Sequence, residues 1–60
     1  MLYVYAISQD IITIDDAREG LRRGFTTEYD FRKGVEDEMI TSSQYEQVVQ
    51  KPYIATVDEA

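Results

Sequence analysis

Neither cysteine nor histidine occurs among the 60 residues, and the two absences remove whole chemistries. Disulfides and thiolate metal sites are excluded. Without imidazole there is no zinc site of the usual kind, and no base of the common type to activate Ser42 or Ser43 as a nucleophile. Basic residues are scarce, 6 against 12 acids for a formal charge of −6. That argues against direct nucleic-acid binding, which needs clustered Lys and Arg facing phosphates. The largest basic group, Arg18, Arg22, Arg23, Arg32 and Lys33, is interrupted by acids and reads as a solvated helix face with local ion pairs, such as Glu19 with Arg22 or Arg23. Three glycines form no phosphate loop. No run approaches the roughly 18 apolar residues of a membrane span, and no basic-then-apolar leader opens the chain. A soluble protein with no membrane partner is expected.

The acids present offer little chemistry. Glu36, Asp37 and Glu38 are the densest cluster, but three consecutive helical residues point in different directions and match no calcium loop. Paired carboxylates need a pocket and shifted pKa values for acid–base work, and so short a chain has little volume for one. Lys33 and Lys51 lack a partner arrangement. The expectation is a non-enzyme with no metal and no cofactor. Sixty residues also make one small domain, 1–60, near the lower size limit for folding alone. Docking on another protein, or self-association, is therefore an expected contributor to stability.

What the sequence does contain is helix punctuation. In Ile40-Thr41-Ser42-Ser43-Gln44-Tyr45, Thr41 is an N-cap and Gln44 completes a capping box. Ile40 and Tyr45 then take the two places of a hydrophobic staple. A helix from about Ser42 to Gln50 follows. One element earlier, Thr27 with Asp30 repeats the design for a helix running to about Glu38, Thr26 being a rival cap. Phe31 and Val35 share a face there, with Met39 and Ile40 extending the stripe. Gly34 either admits a close neighbour or only weakens the helix.

The N-terminal fourteen residues read differently. Met1 to Ile7 is rich in β-formers, with Leu2, Val4 and Ala6 on one strand face and Tyr3, Tyr5 and Ile7 on the other. Ser8 to Asp10 is a polar break and Ile11 to Ile14 a second β-branched run, so residues 1–14 are predicted to form a β-hairpin. Asp15 or Asp16 then starts a first helix, with Asp16 and Glu19 as its capping box and Ala17 and Leu21 as its stripe. Gly24 is placed to end that helix in a left-handed conformation, beside Arg22 and Arg23. Residues 15–50 form the helical part. After Pro52 stops the last helix, residues 51–60 read either as a third strand from Tyr53 to Val57 or as an extended tail that orders on a partner, fraying from Asp58. The fold class predicted is α+β, with an all-helical fold and an extended N-terminus as the alternative.

From Gly24 to Tyr53, half the chain, the sequence resembles the XkdX family of short proteins encoded among phage tail genes. Gly24, Phe25 and Thr27 fit the opening of that pattern and Phe31 and Val35 its helix. Ile40-Thr41 fit the second start, and Tyr45, Val48 and Tyr53 the remainder. The aromatic segment that usually precedes the Gly is missing, and Gly34 stands where a large residue is common. The resemblance implies a phage or prophage setting near tail genes and brings no catalytic residue. Location then follows as the cytoplasm of a bacterial host, with incorporation in the virion as an option.

Five tyrosines supply the candidate contact surface, because Tyr joins apolar area to a polar tip. Tyr45 and Tyr29 are expected to close the core. Tyr3, Tyr5 and Tyr53 are the candidate interaction residues, on the premise that hairpin and tail lie side by side. The function expected is a phage accessory protein, tail-associated and acting through protein–protein contacts. The alternative is a small acidic inhibitor of a host protein, a nucleic-acid mimic or anti-defence type, drawn to a basic groove by charge.

Overall fold

The N-terminal segment is a helix, not half of a hairpin. A computed structural model describes residues 2–54. It shows four α-helices, α1 Leu2–Ser8, α2 Ile14–Arg23, α3 Glu28–Glu36 and α4 Ser42–Val49, and no strand among the described residues. The α+β expectation is thereby overturned in favour of an all-helical domain. The physical reason lies in α1's buried arc. Val4, Ala6 and Ile7 are buried and Tyr3 is half-buried, and on a helix these four lie around one continuous side, leaving Leu2 and Tyr5 to solvent. A run this short satisfies both periods, and packing against α2 and α3 outweighs the β preference of its residues. The supposed second strand also dissolves. Ile11 and Ile12 are loop, Thr13 is a helix cap, and Ile14 opens α2. Of the C-terminal strand, Tyr53 and Ile54 are not extended-paired, and residues 55–60 lie outside the described part of the chain.

The caps are the most regular feature of the fold. Thr13, Thr27 and Thr41, each fourteen residues from the next, cap α2, α3 and α4. Each hydroxyl accepts from the amide three residues on, and the side chain there (Asp16, Asp30 or Gln44) accepts from the Thr amide in return. The expected boxes of α3 and α4 are as seen. That of α2 begins earlier than Asp15, because Thr13 takes the cap and Asp16 is the reciprocating residue rather than its start. Thr26, the rival cap, is buried and its hydroxyl donates to Asp30 at 3.1 Å.

The helix ends recur with the same spacing. Asp10, Gly24 and Glu38 all have φ near +60 to +80°. At each, two amides turn back on the finishing helix: Asp10 and Ile11 to Ile7 and Ala6, Gly24 and Phe25 to Leu21 and Gly20, Glu38 and Met39 to Val35 and Gly34. These are three Schellman stops. Residues 8–21, 22–35 and 36–49 are thus three copies of one unit of stop, cap and helix. Only the middle copy has the glycine that the left-handed position favours. Equivalent places hold Ala17, Phe31 and Tyr45 in the core, and the first two copies have Gly20 and Gly34 at close approaches where the third has the buried Val48.

The core joins Val4, Ile7, Ala17, Phe31, Ile40, Tyr45, Val48 and Val49. α2 and α3 both pack on α4, and α1 lies across α2 and α3. Gly34 admits α1: a Cβ there would stand 2.6 Å from Cγ1 of Val4. Tyr29, expected in the core, is 65% exposed. Its place between Glu28 and Asp30 in the first turn of α3 turns it away from the face that carries Phe31.

Candidate interaction surface

Two features stand out, an open apolar groove and a polar clasp on the C-terminal segment. The groove runs between α1 and α2 and holds about 490 Å3. Buried Ala6 and Gly20 with half-buried Tyr3 and Ile12 form its floor, and exposed Leu2, Ile11 and Phe25 stand along its edges. Those last three are 66–76% exposed, although they are among the most apolar residues of the chain. The geometry follows from the repeat. The residue after each left-handed stop is apolar (Ile11, Phe25, Met39), and in the third unit Met39 is half-buried against the core. In the first two units the same position opens on the groove without cover.

The other wall is charged. α2 presents Asp16, Glu19 and Arg23 in succession along the groove. Arg22 and Arg23 both donate to Glu19, and those bonds hold its carboxyl below the usual carboxylate range while raising the Arg22 guanidinium. Asp16 is engaged in its capping box.

The clasp lies on α3 and α4. The Tyr45 hydroxyl donates to Glu28 at 3.0 Å, and Lys51 Nζ donates to the other oxygen of the same carboxylate at 3.0 Å. The Tyr53 amide donates to Glu46, and Arg32 donates to the carbonyl of Ile54 at 2.8 Å. Tyr53 stands edge-on to Tyr45 with centroids 5.1 Å apart, and the Arg32 guanidinium lies 6.0 Å from each ring. The bonds from Lys51 and then from Tyr45 hold Glu28 below its ordinary value. Burial, and then Glu28, push the Tyr45 phenol up. These contacts fasten residues 51–54 to the helices after the left-handed Gln50 has ended α4, two residues before Pro52.

The three candidate tyrosines do not form one surface in the way expected. Tyr3 lines the groove, its ring against Gly20. Tyr5 is 51% exposed, but a step of two residues on a helix turns by about 200°, so it does not share the face of Tyr3. Tyr53 belongs to the clasp. The premise of a hairpin beside the tail fails with the hairpin. Leu2, Ile11 and Phe25 were the residues to single out. For Ile11 and Phe25 the signal was an apolar residue standing just after a helix stop, where a solvated loop would carry a polar one; Leu2, at the start of α1, carried no such signal.

Elsewhere several charged side chains are engaged within the chain. Arg18 donates to the carbonyl of Gln47 at 2.7 Å, tying α2 to α4. Lys33 pairs with Glu36, which raises the Lys33 pKa, and Arg32 pairs with Glu28. Glu36, Asp37 and Glu38 are exposed, and no group of three acids among the described residues is placed to hold a metal ion. No helix among the described residues is long and apolar enough to cross a membrane. Comparison with family models, curated proteins and solved structures gives no match.

Proposed function

We propose that this chain is a non-enzymatic interaction module whose contact face is the α1–α2 groove, acting as a phage or prophage accessory protein, tail-associated in the reading the XkdX-like residues favour. The observation that carries the contact face is the edge formed by Leu2, Ile11 and Phe25, exposed together around an apolar floor. Single exposed apolar residues are ordinary, whereas several lining one depression mark a binding site. The phage setting rests on Gly24, Phe25, Thr27, Phe31, Val35, Ile40, Thr41, Tyr45, Val48 and Tyr53; here Phe25 edges the groove and the others serve as a helix stop, caps, core and clasp.

The inhibitor reading has less support. Its charge would have to face a partner, and beyond the exposed Glu36, Asp37 and Glu38 much of it is engaged: Asp16 and Asp30 serve the caps. Glu19, Glu28 and Glu46 hold bonds within the chain. To test the module, tagged wild type and Phe25→Glu are expressed in a lysogenic host, and co-purifying proteins are quantified together with the content of purified virions. Wild type is expected to retain a defined phage protein, and Phe25→Glu to lose it while keeping its helical circular dichroism. An identical set of proteins from both would sink the reading.

A further inference from the structure

Each unit of the repeat sets an apolar residue after its helix stop, and the third unit covers its own with the core. The first two leave Ile11 and Phe25 about two-thirds exposed on one groove. Something that covers both at once completes what the third unit already has. The wall beside them has a direction. Asp16 lies in the first turn of α2, Glu19 at its middle and Arg23 in its last turn. The wall therefore runs from carboxylate to guanidinium, against the helix's own positive-to-negative dipole.

We propose that the groove is the contact face of a two-fold dimer, in which α2 of a second copy lies antiparallel to α2 of the first. The inference rests on the groove being an interaction surface and names its occupant. A two-fold axis near Gly20 sets Arg23 of each copy, which keeps its bond to Glu19, opposite Asp16 of the other, whose Oδ2 keeps its cap bond from the Thr13 amide. It also sets the positive end of one α2 dipole beside the negative end of its mate, and lets Phe25 and Leu2 of each copy cover Ile11 of the other. Such a patch is self-complementary, as a closed dimer requires. The −6 charge of each copy opposes contact only weakly at physiological salt. Charges farther apart than about 8 Å are largely screened there. The densest acids, Glu36 to Glu38, lie in another unit, and Glu19, which the axis brings near its own counterpart in the second copy, is already bonded to Arg22 and Arg23.

The test is the solution mass of the full chain by sedimentation equilibrium, from about 1 µM to about 1 mM, with uptake of a hydrophobic dye measured alongside. The wild type should pass from monomer to dimer within that range. Phe25→Glu and Ile11→Glu should each weaken the dimer at least about tenfold, as should Arg23→Glu, which sets like charges face to face. Tyr29→Glu, exposed on α3, should leave it unchanged. A dimer indifferent to Phe25→Glu and Ile11→Glu overturns the proposal. So does a monomer at every concentration, and the dye then separates two failures. Uptake that depends on Phe25 leaves the groove as a surface for a different partner, whereas no uptake removes the interaction surface as well.

Discussion

At the scale of the residue, the most consequential bond joins Tyr45 to Glu28. Tyr45 is buried to 1% exposure and places its hydroxyl on a carboxylate that Lys51 also holds. The two partners shift in opposite directions, so the bond is sensitive to pH on both sides. Glu28 has a depressed pKa in the folded state. Its stabilisation is complete above the unfolded value of about 4.3 and is lost as pH falls through the folded value below it. Tyr45 has a raised pKa. Its stabilisation is complete below the unfolded value of about 10 and is lost as pH rises through the folded value above it. Tyr45→Phe keeps the ring in the core and deletes the bond. The stability advantage of wild type over this variant should therefore be greatest at neutral pH and should shrink at about pH 3 and again above about pH 10.5. Urea midpoints of both proteins at the three conditions measure it. A difference that stays constant with pH would show that the hydroxyl does not sense Glu28.

At the scale of the element, what decided the fold was punctuation rather than residue preference. Thr27 with Asp30 and Thr41 with Gln44 are legible because a capping box is a local chemical requirement, met by four consecutive residues whatever surrounds them. Gly24 is legible for the same kind of reason. Thr13 carries the same box with Asp16, yet it sits inside Ile11–Ile14, a β-branched run whose preference conceals it. Asp10 conceals its role too, since a left-handed stop without Gly resembles any polar turn. The fourteen-residue spacing of Thr13, Thr27 and Thr41 would have resolved both. It turns an ambiguous apolar run into the third instance of a known unit. What no local pattern carries is the approach of α1 to the glycines, and the two sites differ in a testable way. Gly34→Ala drives a Cβ into Val4, a stiff and fully buried side chain, so it should cost about 1–3 kcal/mol despite the better helix propensity of Ala. Gly20→Ala meets instead the ring of Tyr3, half-exposed at the groove and able to swing outward, so its cost should be under about 1 kcal/mol. Paired chemical denaturation curves decide this, and Val4→Ala should relieve the Gly34 variant but not the Gly20 one. Equal costs at the two sites would mean that α1 is not seated by Gly34.

At the scale of the whole molecule, a chain this short has one small core and no covalent staple. Its total stability is expected at roughly 3–9 kcal/mol. Phe31 stands at the centre, fully buried, in the middle copy of the unit and between the elements that meet it. Sequence periodicity pointed to Phe31, Val35, Ile40 and Tyr45 as core, and all four pack there or against it. It gave no hint that Val4 and Ile7 join them through a helix, because seven residues suit either period and only the finished packing chooses between them. That choice makes the core a single shared volume across all four helices rather than a helical pair beside a hairpin. The consequence is a unified response to injury. Phe31→Ala should remove about 3–5 kcal/mol, a large share of the total. Its loss should appear in α1 as fully as in α4, because both pack on α3 around one core that holds Phe31. Amide hydrogen exchange resolved by residue tests this directly: in Phe31→Ala the protection of Ile7 and of Val48 should fall together. A variant in which α4 loosens while α1 keeps its protection would mean two separate cores, and α1 would then be held by something other than the packing described.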